Sequence, residues 1–409
     1  MKRYFIPVAG IIALALLAGA CSDSDDKAGT GTTAPSKTVT IALGGPFSGS
    51  EKATGDQIKS GAKLAVDEIN NSGGIAAGPR KGSTIVLKEY DDADEPARAA
   101  ANMRTIVDDE GLDAFVGSGL SDASAAASPV ASDAGFSYLA TYASSPKILE
   151  AAKADKSVFI VPPTFPAYAF SVTDELLKAG HKKPAIIHLT GTYGDGIADY
   201  VVERLKASGV TPVANESFTF TDTDLRTQLG RIKDNNPDSL VMVGLPASDA
   251  LILQQADQLG LKVPAYDPGG ITNSDSFLKE AGALANGVVG NSPTDAQRNT
   301  PAAAALRQSY AEATGESVVP DPAAFSYEGV KAVAAAFADG ATGRKDLAGH
   351  LHKIAIPDTG VGPLSFAGDG SRIGGRLYIF KVEDGKPVFT TGYEQTGPQV
   401  VKELPGLER

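Results

Sequence analysis

From Thr38 onward the chain repeats one unit, a short apolar strand followed by a helix, which restricts it to a parallel α/β architecture. Val39 to Leu43 reads as a strand ending at Gly44-Gly45-Pro46. The helix after it runs from about Gly55 to Asn71, with Ile58, Ala62, Ala65, Val66 and Ile69 on one face, and Gly73-Gly74 stops it. Stretches near Thr84–Tyr90, Ala114–Val116 and Phe136–Ala140 repeat the strand; those near Pro96–Asp108 and Asp122–Ala134 repeat the helix. After Pro162-Pro163 the alternation restarts, with strands near Ala185–Leu189, Val213–Phe218, Leu240–Val243 and Pro264–Asp267. Two such blocks predict an α/β fold of two doubly wound parallel-sheet lobes. A length of 409 residues also exceeds what one ordinary core organises. Beyond an Ala-rich helix at about Tyr327–Asp339, strands at Gly362–Phe366 and Gly375–Val382 break the alternation. They are expected to complete sheets begun earlier, so that neither lobe is contiguous in sequence.

The first residues carry a different signal. Lys2 and Arg3 precede an apolar stretch from Tyr4 to Ala20, which ends in Ala18-Gly19-Ala20 before Cys21. A basic start, an apolar centre and small residues at the end predict a secretory signal peptide over 1–20. The stretch is short of the ~20 residues that a spanning helix requires. Cys21, the chain's only cysteine, stands where a lipoprotein signal places its acylated residue, although Leu17 lies four residues before it instead of the usual three. Residues 21–37, polar and without period, read as a tether from a lipid anchor on the outer face of the cell membrane.

Composition narrows the function. A formal net charge of −12 and the lack of a long basic cluster exclude nucleic acid as a partner, since phosphates demand Lys and Arg. With Cys21 acylated, no cysteine remains for disulfides, structural zinc or thiol catalysis. His350 and His352 are two apart, which points them in different directions on a helix. His181 reads as a helix-end residue beside Lys182 and Lys183, and His188 closes a strand with no nucleophile motif near it. Gly44 to Gly49 lacks both the Lys-Ser/Thr ending of a phosphate loop and the spacing of a dinucleotide loop. Asp91, Asp92, Asp94 and Glu95 lack the spacing of a calcium loop and read as caps for the following helix. No enzyme signature, metal or cofactor emerges.

Polar residues do collect at the carboxyl ends of the strands, where open parallel sheets bind ligands. Ser121 opens a helix after Val116-Gly117, Ser144 and Ser145 follow the strand ending near Ala140, and Tyr193 precedes a helix after Leu189. Serine hydroxyls and free N–H groups at helix starts suit a carboxylate. Helix capping would select the same serines, and the residues alone leave the two readings level.

Several ordered stretches are similar to the branched-chain amino-acid-binding family of periplasmic receptors. They are GPFSG at Gly45–Gly49, GAKLAVDEINNSGGI at Gly61–Ile75, EYDDADEPARAAANM at Glu89–Met103, TYGDGIAD at Thr192–Asp199 and GPLSFAGDG at Gly362–Gly370. The resemblance implies a type I periplasmic binding fold with a three-crossing hinge, lobe one comprising 38–161 and 292–357, lobe two 162–291 and 358–409. It further implies a ligand carboxylate held by Ser121 and the Ala143-Ser144 pair beside Tyr142, with Tyr193 and Tyr327 covering the ligand. Three positions depart from the family pattern: Thr54 and Leu245 replace tyrosines, and Gly269 replaces the acid that holds an amino acid's ammonium. A buried ammonium left unpaired costs roughly 3–5 kcal/mol, or two to three and a half decades of affinity. Asp122 and Asp267 are the substitute acids that the sequence offers.

The expected protein is therefore not an enzyme but a monomeric solute-binding lipoprotein of an ABC importer. It would capture an amino acid, carboxylate or amide by hinge closure and hand it to a membrane permease. A ligand-sensing receptor that presents its closed form to a signalling partner is the alternative.

Overall fold

The alternation becomes two sheets built on one strand order. The computed structural model describes residues 38–152, 156–295 and 297–407; the expected signal peptide, Cys21 and the tether lie outside the described residues. In the first sheet Thr84–Asp91, Thr38–Gly45, Ala114–Gly117, Tyr138–Ala140 and Val158–Ile160 lie side by side, all parallel. In the second, Ala214–Phe218, Pro184–Leu189, Ser239–Val243, Ala265–Asp267 and Val289–Ser292 repeat that order. The strands Gly375–Glu383, Lys386–Gly397 and Val400–Glu403 then extend the second sheet antiparallel. In both sheets the order reverses beside the strand that starts the block. Loops leaving neighbouring strands diverge there and open a crevice beyond their carboxyl ends.

Each sheet is covered on both faces, as parallel sheets require. Helices Lys52–Asn71 and Asp321–Asp339 cover one face of the first, burying Ile41, Ile58, Val330 and Phe337, while Met103, Phe115 and Ala127 lie in the core on the other. Gly61 permits the helices to touch: a Cβ there would stand 1.9 Å from the carbonyl oxygen of Ala323. Helices Phe165–Lys178 and Thr192–Ala207 cover one face of the second sheet, and Leu229, Ile252 and Phe277 fill the core of the other.

Two expectations change. The helix expected from Tyr327 begins at Asp321, because Pro322 falls in its first turn, where a missing N–H costs nothing. The segment 358–373, assigned above to lobe two, packs on lobe one. Val361, Leu364 and Phe366 join that core, and Leu364–Phe366 pairs with Ala355–Ile356 and Arg372–Ile373 in a small sheet. The return to the second sheet comes at Gly375. Arg372 staples this region. Its guanidinium, almost wholly buried, donates to Glu328 at 2.6 and 2.9 Å, to the Val161 carbonyl at 2.7 Å and to the Pro363 carbonyl at 2.7 Å. It thereby ties two chain crossings to one helix.

Candidate functional site

The cleft is built from loops at the two strand-order reversals. On the first lobe, Asp91 fixes the loop after Thr38–Gly45 by accepting the Phe47 and Ser48 amides at 2.9 and 3.1 Å and the Ser48 hydroxyl at 2.6 Å. Asp92 accepts the Ser118 hydroxyl at 2.6 Å and the Asp94 amide at 2.9 Å. The aspartates expected to cap the next helix therefore hold loops instead, and Glu95 occupies the cap position without a side-chain bond. Among the described residues no group of His, Cys, Asp and Glu is arranged to hold a metal. Asp94, close to the charges of Asp92, Glu51 and Asp122, has its carboxyl pushed up to about 7, chiefly by burial. Thr54 stands at this rim, its hydroxyl donating to Glu51 at 3.1 Å.

The serines differ in whether their hydroxyls are engaged. Ser121 opens the helix Ser121–Asp133, whose cap residue is Leu120 and which has no side-chain cap bond. Ser145 is engaged, its hydroxyl accepting the Lys147 amide at 3.3 Å in a local turn before the helix Lys147–Ala151, whose cap residue is Pro146. The hydroxyls of Ser121 and Ser144 make no hydrogen bond among the described residues, although both residues are nearly buried. Ala143 is buried beside Ser144, and Tyr142 packs partly buried against the first core.

The second lobe supplies the facing wall. Tyr193, in the first turn of Thr192–Ala207, sets its ring edge-on to Phe165 at 6.0 Å, and its hydroxyl points to the Gly269 carbonyl at 3.4 Å. Leu245 is the cap residue of the helix Pro246–Gln258, its amide donating to Ser248 at 2.8 Å. The lobes meet where the Thr192 amide donates to Asp122 at 3.3 Å.

Neither acid singled out from the sequence stands free. Asp122 is exposed and bonded across the cleft. Asp267 has no exposed surface and accepts the amides of Gly269, Ile271 and Thr272 at 2.6, 3.0 and 2.9 Å, which shapes the 267–272 loop. Tyr327 lies elsewhere: its hydroxyl donates to Glu68 at 2.7 Å, near the far end of Lys52–Asn71, with Lys331 5.0 Å from its ring. A regular helix puts it about 9 Å beyond its own first residue. That residue, Asp321, is partly exposed and accepts the Thr294 hydroxyl at 2.7 Å, just past the second lobe crossing, while Tyr168, in the first turns of Phe165–Lys178, stands against the Gly269-Gly270 loop. Each has a proline within two residues before it, Pro320 and Pro166, the one local signal near them.

Two doubly wound lobes that present open hydroxyls and tyrosines to each other across a hinge define a solute-binding protein. The chain belongs to the periplasmic binding protein family, whose profile matches residues 38–387. It is 29% identical over 354 residues to Leu/Ile/Val-binding protein homolog 3 of Brucella melitensis, covering 86% of this chain and 93% of that one. It is 28% identical over 386 residues to the leucine-specific-binding protein of Salmonella typhimurium, covering 91% and 95%. Among solved structures it superimposes on the substrate-binding protein LivJ of Streptococcus pneumoniae, determined with isoleucine, with a TM-score of 0.73, 26% identity and coverage of 86% and 100%. The family is one of binding proteins, which places this chain among ligand carriers and not enzymes. Among the described residues no helix is long and apolar enough to cross a membrane.

Proposed function

We propose that the protein is the extracytoplasmic solute-binding component of an ABC importer. It captures an amino acid, or a related small carboxylate or amide, in the cleft and delivers it to a membrane permease, tethered through an acylated Cys21. The observation that carries this reading is the pair of open hydroxyls on Ser121 and Ser144 at the first lobe's reversal, with Tyr193 opposite. Hydroxyls and helix-start amides there take the ligand carboxylate, and Tyr193 closes over it from the second lobe. The relatives above are named for binding leucine, isoleucine and valine, which sets the size class to try first.

The test is a thermal-shift screen of the purified full-length protein against amino acids, their deaminated acids and their amides. A ligand that binds only the folded form raises stability by ~2.7 kcal/mol at one hundred times Kd. The expected result is a concentration-dependent shift with at least one of these classes. A flat response to all of them would refute the reading. Membrane retention of the wild type, lost on Cys21→Ala, is expected if the anchor is correct.

A further inference from the structure

The family's ammonium-binding acid is replaced by Gly269, and the surroundings explain why no side chain stands there. A Cβ on Gly269 would lie 2.2 Å from the Tyr193 hydroxyl and 2.9 Å from an Asp267 oxygen. One on Gly270, where φ is +76°, would lie 3.1 Å from the Tyr168 ring. The bare loop lets both tyrosines close on the cleft, so an acid must come from elsewhere.

Four aspartates stand near enough to consider, and three are unsuited. Asp267 is saturated by backbone amides, and Asp122 is exposed and bonded across the cleft. Asp249 has no exposed surface, both its oxygens are sealed without a partner behind Gly244, and burial raises its carboxyl well above the usual range, which favours a neutral acid over a partner for an ammonium. Asp321 differs. One oxygen accepts the Thr294 hydroxyl at 2.7 Å, and the other has no partner among the described residues. The residue is partly exposed at the start of its helix, and its charge acts on the hydroxyls of Tyr142 and Tyr168. Tyr168 is only 8% exposed, yet its hydroxyl makes no hydrogen bond among the described residues. The hydroxyl reaches solvent, which leaves it free to meet a ligand entering the cleft. Arg372, the cation that acts on Tyr168, is already paired with Glu328.

We propose that Asp321, with Tyr142 and Tyr168, receives an ammonium group of the ligand at the hinge end of the cleft, in place of an acid at position 269. The assignment rests on the functional reading above and names the half of the ligand which that reading leaves open. A carboxylate gives the charge partner, and tyrosine hydroxyls and ring faces complete the contact.

The experiment is calorimetric titration of the full-length protein with leucine, with leucinamide and with 4-methylpentanoate, which keeps the carboxylate and lacks the amine. Wild type is expected to bind leucine at least tenfold more tightly than 4-methylpentanoate. Asp321→Asn, which preserves shape and the Thr294 contact, is expected to erase that preference with no loss of Tm. Tyr168→Phe is expected to weaken leucine several-fold, and it decides the matter should Asp321→Asn fold poorly. Wild-type preference for leucine in a folded Asp321→Asn variant would overturn the assignment, as would unchanged leucine affinity in Tyr168→Phe. A preference for 4-methylpentanoate in the wild type would overturn it while leaving the functional reading in place. Heat from none of the three would overturn the assignment, while the functional reading falls only with a flat response in the wider thermal-shift screen.

Discussion

The two lobes share a strand order and differ in what their strand ends offer. The first lobe presents small groups with nothing to do: the hydroxyls of Ser121 and Ser144, beside loops that Asp91 and Asp92 already hold in shape. The second presents bulk: Tyr193 and Tyr168 lean on a loop stripped to Gly269-Gly270, and its acid, Asp267, is engaged in holding that loop. On the reading proposed above, the first wall offers hydroxyls to a carboxylate, whereas the second offers tyrosines over a bare loop. Ligand discrimination should therefore follow the second wall and the hinge, and shared affinity should follow the first.

The comparison breaks most visibly at position 269. If the missing acid were a simple deletion, Gly269→Glu would restore a charge partner and tighten amino-acid binding. The structure predicts the reverse, because the new Cβ would meet the Tyr193 hydroxyl. Overpacking of this kind costs roughly 1–3 kcal/mol, so the variant should weaken binding by up to about a hundredfold. Tighter binding of leucine in calorimetry would show that the second wall retains the older arrangement.

A smaller effect separates the two kinds of serine on the first wall. Hydrogen bonds to a charged group are worth about 1.5–3 kcal/mol, so Ser121→Ala should weaken a carboxylate ligand about tenfold or more. Ser145→Ala removes only a local turn bond, worth about 1 kcal/mol of stability, and should leave affinity as it was. Equal loss of affinity in the two variants would mean that the hydroxyls cannot be divided as drawn.

The pH response tests the hinge. Desolvation pushes the Asp321 carboxyl up to about 7 from 3.8, and an ammonium is held only by its ionised form. Affinity for an amino acid should thus rise about tenfold between pH 6 and 8, with the slope lost in Asp321→Asn. Folding stability runs the other way. The folded chain holds this proton in a window where the unfolded chain has released it, so unliganded stability falls as pH rises from about 4 to 7. Asp94, also raised to about 7, adds to that slope with the same sign, so the variant should retain part of it.

Local pattern carried the architecture because strand-helix alternation and glycine stops are written residue by residue, and both reversals follow from it. The serines were legible as positions, since a strand end is a sequence event; whether a hydroxyl bonds its own turn or stays open is decided by the neighbouring backbone, which separated Ser145 from Ser144. Tyr327 and Asp321 show where reading one chain linearly failed. They stand on one helix, whose true start lay hidden in a Pro-Asp-Pro run that resembles a breaker. The fate of segment 358–373 was equally unreadable, because Val361, Leu364 and Phe366 suit either core by hydrophobicity, and only the fold assigns them.

The smallest expected effect is a control on that misreading. If Tyr327 covered the ligand, Tyr327→Phe would remove a hydroxyl from the cleft and shift affinity. In the structure its hydroxyl donates to Glu68 on the far side of the first lobe, where Lys331 also reaches Glu68 at 2.9 Å. The substitution removes one hydrogen bond to a carboxylate that keeps a second partner. It should therefore cost no more than about 1 kcal/mol of stability, read as a small drop in Tm. Affinity for leucine should stay within twofold of wild type. A tenfold loss with Tm unchanged would return Tyr327 to the cleft and would require the helix Asp321–Asp339 to turn about its axis, withdrawing Asp321 from the hinge.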